Sequence, residues 1–431
     1  MNLHEIASRS RAASYDLSVS SVEKRNKALS LMIDYLERDR ELIFDSNKVD
    51  VAEAESEGLA APLLHRLVFA GDKLKQVQAG LRSLISLEDP IGHTVFCHEI
   101  TEGLKLYRVT CSIGVIGVIF ESRPDALVQI TSLAVKSGNS VILKGGREAL
   151  RTNQALIHSI RSALDDAGFS PDAAQLLETR EDVSAMLKED ALIDLVIPRG
   201  SNAFVRYIMD NSRIPVLGHA DGICHVYVDQ DADLNLAFKV ALDSKIQNLS
   251  VCNAEETLLV HRNIAERFLP EFAGMLTENH VEIRGDEMTG SLIQCKPASE
   301  EDWKTEYLDA ILSIRVVSSL EQAIEHINHY GSHHTDCIIT ENDEAAKTFL
   351  DRVDSAGVYR NVSTRFADGF VYGFGAEVGI STGKIHSRGP MGLEGLTTYK
   401  YKLLGNGQTM AEMKSGARRY THRILQEDCP L

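Results

Sequence analysis

The chain has no Cys-x-x-Cys pair, and its seven cysteines are scattered through 431 residues. An odd number without paired spacing argues against both a disulfide framework and a zinc site, so reduced thiols and no metal are expected. No clustered basic surface stands out against the formal charge of −17, which argues against nonspecific nucleic-acid binding, because phosphate backbones demand one. No segment approaches the uninterrupted apolar length that spans a bilayer. The opening stretch MNLHEIASRSRAASYDL also lacks the apolar centre of a secretory signal. A cytoplasmic protein with neither nucleic-acid nor membrane partners is therefore expected. Internal repeats and low-complexity linkers are missing too, so domains must be read from the order of elements.

What is present is an ordinary globular composition, 44% hydrophobic and 25% charged, over a length that suggests two or three domains. The first hundred residues read as helical, with Ser20-Ser21-Val22-Glu23 at capping-box spacing. HTVFCHEITEGLKLYRV, residues 93–109, reads as a β-hairpin about Thr101-Glu102-Gly103. Buried-strand and helix patterns then alternate: strand 114–120, helix 126–136, strand 140–144, helix 153–167, and strands 192–197 and 223–228. Such alternation implies an open, mostly parallel sheet covered on both faces. A second α/β stretch follows the acidic loop 229–233, with a helix over 234–245 and strands near 256–260, 314–317, 336–340 and 357–359. The tail from Lys384 is rich in Gly, Tyr and Lys and reads as ending in a polar helix.

Cys252, in KIQNLSVCNAEETLLVH, is placed by a polar run just ahead of an apolar strand. Held by rigid structure yet reachable, its thiol suits attack on a carbonyl carbon. The alternative is a small core residue, since free cysteine is among the most buried types. Ligands of open parallel sheets bind beyond the carboxyl ends of the strands, which here carry Glu121-Ser122-Arg123-Pro124, Lys144-Gly145-Gly146-Arg147 and Pro198-Arg199-Gly200-Ser201. Each set joins a cation to chain-turning residues, an arrangement that suits phosphate. No G-x-G-x-x-G follows a strand, so a nucleotide would be held in some other way. Lys144 and Arg147 together favour NADPH over NADH through a ribose 2′-phosphate. Late in the chain, Arg365 and Arg388 either bind carboxylate or phosphate or pair with the chain's acids, and His386 is either structural or an acid or ligand.

Taken in order, GVIGVIFESRPD, GNSVILKGGREA, LVIPRGS, PVLGHADGICHVYVD, CNAEETLLVH, STRFADG and FGAEVGISTGKIHSRGPMGLEGLTTYK make the chain resemble the gamma-glutamyl phosphate reductase family, a branch of the aldehyde dehydrogenase superfamily. The resemblance runs nearly end to end. It implies an aldehyde-dehydrogenase-like α/β fold with a Rossmann-like cofactor domain (1–92 and 112–243), a catalytic domain (244–383), and a β oligomerisation arm with C-terminal tail (93–111 and 384–431). The implied reaction is NADPH-dependent reduction of L-glutamyl 5-phosphate to glutamate 5-semialdehyde with release of phosphate, the second step of proline synthesis. An ordinary aldehyde dehydrogenase and a noncatalytic oligomeric relative are the alternatives.

The resemblance also assigns roles. Cys252 matches the nucleophile, Lys144 the ribose-contacting lysine, and Gly200 and Ser201 the cofactor-side turn, with Gly145 and Arg147 beside Lys144. Substrate and oxyanion contacts are expected from Ser122, Arg123, Asn253, Arg365, His386 and Arg388. His219 stands near where oxidising relatives carry a water-activating glutamate, so the thioester should hydrolyse slowly. A small-molecule substrate and a homo-oligomer are implied, and a separate glutamate 5-kinase would supply the labile acyl phosphate. Direct handover from that kinase would be abandoned if an inert trap in solution captured the intermediate completely.

Overall fold

The computed structural model describes residues 2–431 apart from Ser122 and Ala220. It divides into two compact units. The first runs to Leu217 and takes in Phe374–Gly379 and Met391–Leu431; the second comprises Gly218–Gly373 and Ile380–Pro390.

In the first unit, four parallel strands lie in the order Ala174–Leu177, Ser140–Lys144, Val115–Phe120, Leu195–Arg199. The two central strands are buried along their whole length, which is why they read as continuous apolar runs rather than alternating ones. Ile116, Val118 and Phe120 face one core with the helices Val22–Arg38, Pro124–Lys136 and Leu150–Asp166, while Val115 and Ile119 face another with Leu3–Ser18. That split is the two-residue period of a strand covered on both sides. An antiparallel sheet completes the unit in the order Thr397–Leu404, Leu104–Ser112, Thr94–Thr101, Arg423–Leu425. Gly103 turns its hairpin at φ +73°, a conformation that favours glycine.

The second unit holds seven parallel strands in the order Lys296–Pro297, Glu282–Gly285, Ile311–Val317, Glu255–His261, Cys224–Val228, Thr335–Ile339, Gly357–Arg360. Leu258 and Val260 point into one core and Leu259 into the other.

Several particulars differ from the reading of the sequence. The units divide at Leu217/Gly218 rather than at 243/244, because Cys224–Val228 pairs with Glu255–His261 and Thr335–Ile339 and takes the helix Leu234–Ile246 with it. Residues Ile380–Pro390 also belong to the second unit, so the stretch from 384 is not all arm and tail. Ala174–Leu177 and Glu282–Gly285 are additional strands, and the tail closes with the strand Arg423–Leu425 rather than a helix.

Candidate active site

Cys252 lies in a tight turn between the helix Leu234–Ile246 and the strand Glu255–His261, where the Ala254 N–H donates to the Val251 carbonyl at 3.1 Å. The loop is clamped. Thr364 Oγ1 donates to the Asn253 carbonyl at 2.7 Å, Asn253 Nδ2 donates to the Ala367 carbonyl at 3.0 Å, and Cys224 Sγ donates to the Cys252 carbonyl at 3.3 Å. Gly222 packs against the turn so tightly that a β-carbon there would stand 2.2 Å from the Cys252 oxygen and 2.6 Å from its Cα. Cys252 itself is half-buried, neither sealed in a core nor loose in solvent. Burial pushes the Cys224 thiol well up, so Cys224 stays protonated and serves as a donor, leaving Cys252 as the reachable sulfur.

Two imidazoles meet that sulfur. One ligand atom each from His219, Cys252 and His334 lie within 4.8 Å of one another. The His219 Nδ1 bonds the Ile380 carbonyl at 2.9 Å, an acceptor, so Nδ1 carries the proton and Nε2 keeps its lone pair. The two rings meet edge to face with centroids 4.9 Å apart. His219 precedes the strand Cys224–Val228, Cys252 precedes Glu255–His261 and His334 precedes Thr335–Ile339. These are three neighbouring strands, so the constellation gathers at their amino ends.

Arg365 belongs to the same cluster. Its Nε donates to Gln247 Oε1 at 2.8 Å, and burial pulls its guanidinium below its ordinary value while its neighbours, the Asp368 and Asp243 carboxylates among them, pull the other way. Arg388 donates to Asp354 Oδ1 at 3.0 Å, with Lys384 on the same carboxylate. His386 is exposed with φ +68°. Ser122, expected as an oxyanion donor, lies outside the described residues.

Beneath the cysteine turn is a buried charge system that the sequence pattern did not reveal. Lys245 Nζ and Glu256 Oε2 are 2.6 Å apart with both side chains fully buried, and Glu256 also accepts the Leu308 N–H at 3.1 Å. Burial lifts the Glu256 carboxyl to about 7. Its neighbour Glu255 is fully buried, neither carboxyl oxygen has a hydrogen-bond partner, and its carboxyl is pushed well up by the same cause, which favours the neutral form.

The candidate cofactor residues lie in the first unit. Lys144 ends the strand Ser140–Lys144 buried, its ammonium on the Gly145 carbonyl. A β-carbon on Gly145 would meet Asn153 Nδ2 at 2.2 Å, and one on Gly200 would meet Glu121 Oε2 at 2.6 Å. Glu121 accepts the Ser201 N–H at 3.1 Å at the start of the helix Asn202–Asn211. Arg147 is 86% exposed, 3.7 Å from Glu57, and Arg123 reaches Asp125 at 3.4 Å. These groups share the carboxyl ends of their parallel strands, as a ligand site on such a sheet requires.

Parallel sheets flanked by helices, with a reachable cysteine at the amino end of a central strand, suit an aldehyde dehydrogenase-type enzyme, and residues 1–300 match the Aldehyde dehydrogenase family. The chain is 55% identical over 428 residues to a gamma-glutamyl phosphate reductase of Pelotomaculum thermopropionicum, covering 99% of each chain. The crystal structure of gamma-glutamyl phosphate reductase from Thermotoga maritima superposes with a TM-score of 0.93 at 40% identity, covering 95% of this chain and 100% of that one. At 13% identity, an engineered glycolyl-CoA reductase solved with bound NADP+ shares the fold with a TM-score of 0.64, over 94% of this chain and 97% of its own. The chain belongs to the gamma-glutamyl phosphate reductase family, the glutamate-5-semialdehyde dehydrogenases of proline biosynthesis, and is an oxidoreductase.

Proposed function

We propose that the chain reduces L-glutamyl 5-phosphate to L-glutamate 5-semialdehyde with NADPH, through a thioester on Cys252 and with release of inorganic phosphate. The observation that carries this reading is the Cys252 thiol beside the His219 and His334 imidazoles, in a chain that matches the family along its length. His219 Nε2 takes the thiol proton, and the thiolate adds to the acyl carbon. The carbon–oxygen bond to phosphate breaks, phosphate leaves with the electron pair, and the acyl group remains on sulfur. Arg365 provides the positive field that steadies the thiolate and the anionic substrate. The hydride for the second addition is the chemistry the nicotinamide supplies when bound. Collapse of the resulting hemithioacetal frees the aldehyde and returns the thiol.

Lys144, Gly145, Arg147, Gly200 and Ser201 are the residues that would hold NADPH. The fit rests on a buried ammonium at a strand end and two chain-turning glycines that Asn153 and Glu121 approach too closely for a β-carbon. On this reading the first unit binds cofactor and the second carries the chemistry.

Run backwards, purified protein with glutamate semialdehyde and NADP is expected to form NADPH only when inorganic phosphate is present. Cys252→Ala should lower that rate by at least about a thousandfold. NADPH formation without phosphate would make water the acceptor and replace this reading with an ordinary aldehyde dehydrogenase.

The antiparallel sheet is assigned to subunit pairing in the cytoplasm. Its edge strand Thr397–Leu404 exposes Tyr399, Tyr401 and Leu403 by more than half, and such an edge is an aggregation hazard unless another chain covers it. Sedimentation should show a homo-oligomer that dissociates in Tyr401→Glu/Leu403→Glu; a wild-type monomer would end the assignment. Among the described residues no helix is long and apolar enough to cross a membrane.

A further inference from the structure

The spacing of the cysteines argues against a zinc site, yet the fold assembles one set of zinc-type donors from distant parts of the chain. We propose that His219, Cys252 and His334 form a binding site for one borderline-soft divalent cation of the zinc class, which holds the Cys252 sulfur reversibly out of reaction. Two imidazoles and a thiolate are donors that select such a cation over magnesium or calcium, which take oxygen.

Three observations carry the site. The ligand atoms lie within 4.8 Å of one another, and zinc bonds of about 2.0–2.3 Å ask that spacing to close by only about an ångström. The His219 Nδ1 bond to the Ile380 carbonyl at 2.9 Å is the outer hydrogen bond that fixes a ligating histidine, leaving Nε2 to bind. His334 is fully buried, its Nδ1 sits 2.9 Å from Thr335 Oγ1, and its Nε2 is buried without a hydrogen-bond partner. A buried ring nitrogen without a partner costs free energy that a ligand recovers once the ring's proton sits on Nδ1, where Thr335 Oγ1 can accept it. Binding replaces the sulfur–hydrogen bond with a sulfur–metal bond and releases one proton to solvent. The fourth tetrahedral position is left to water or to a substrate oxygen.

Coordination is independent of the reaction proposed above; only the consequence that turnover stops rests on it. The test is titration of the full chain, reduced and freed of metal, with cobalt(II) as the spectroscopic stand-in for zinc. One equivalent per chain should produce a sulfur-to-cobalt charge-transfer band with tetrahedral ligand-field bands, displaced by zinc and abolished by a chelator. Alkylation of Cys252 should slow in parallel, and phosphate-dependent NADPH formation should fall and recover with the chelator. Cys252→Ser should lose the charge-transfer band, and His219→Gln and His334→Gln should each weaken cobalt binding by at least about tenfold. His334 is buried, so the half-buried His219→Gln, checked for an unchanged melting curve, keeps the test decisive if the other variant does not fold.

No band at one equivalent overturns the site, as does a band that survives Cys252→Ser or is indifferent to His219→Gln. The two readings fail separately. A protein that shows the band but makes no NADPH keeps the metal site and loses the reaction, and the converse result loses the site and keeps the reaction.

Discussion

Gly222→Ala is expected to lower turnover by about a hundredfold while the protein still folds. The added β-carbon would stand 2.2 Å from the Cys252 carbonyl oxygen and 2.6 Å from its Cα and Cβ. The obstacle is backbone, so no rotamer change relieves it. Separating these atoms to van der Waals contact moves the turn by about an ångström, and misplacing a reacting group by that much costs about 10²-fold. The turn has little freedom to absorb the shift elsewhere, being tied through Thr364, Asn253 and Cys224. The measurement is kcat for the phosphate-dependent reaction beside the alkylation rate of Cys252 and the melting curve. Near-normal turnover would mean that the Gly222 side yields instead and that the cysteine's position is less constrained than its packing implies.

Lys245→Met should destabilise the protein by about 3–5 kcal/mol, the cost of leaving one member of a buried ion pair without its partner. That is a large part of the roughly 5–15 kcal/mol that holds a domain folded. The cost depends on pH, and its sign follows from the carboxyl groups. With Lys245 present, burial already lifts Glu256 from 4.5 to about 7. The folded chain therefore holds this proton more tightly than the unfolded chain, and the stability so gained fades as pH rises from about 4.5 through 7. Removing the ammonium raises the folded value further, so Lys245→Met should hurt least near pH 5 and most near pH 8. The apolar double variant Lys245→Met/Glu256→Leu should recover most of the loss. Urea unfolding at the two pH values checks both points; a deficit independent of pH would mean that the loss comes from packing and not from the stranded carboxylate.

The elements legible in the sequence were those whose burial is written as a run of one residue class. GVIGVIF and SVILK had no other reading than covered parallel strands, and the Thr101-Glu102-Gly103 turn was set by a glycine that φ +73° favours. Ala174–Leu177 and Glu282–Gly285 escaped because AQLL and EIRG are short and carry polar residues, so only pairing to a neighbour makes them strands. Cys252 was legible because a polar approach precedes an apolar strand. His334 was not, because attention to carboxyl strand ends picked out Lys144 and Gly200 in the first sheet, whereas His334 stands at the amino end of a strand in the second. Strand order, with Cys224–Val228 between Glu255–His261 and Thr335–Ile339, is what makes residues 219, 252 and 334 neighbours. A polar residue just ahead of each of three strands was the available signal. Glu255 and Glu256 are buried against every rule of hydropathy, and only Lys245, a turn of helix away from the cysteine loop, explains one of them.

The way the chain passes between its two units bears on the order in which they are made. Leu104–Ser112 pairs along its length with Thr397–Leu404, and Met391 and Leu396 complete the core that Val118 and Leu133 begin. At about 5–20 residues per second, the early partners leave the ribosome on the order of tens of seconds before the late ones. The second unit is nearly contiguous from Gly218 and lacks only Ile380–Pro390 after Gly373, so it can mature first. The unit begun first is thus finished last, and through that interval its hairpin edge and unfilled core are what a chaperone would meet.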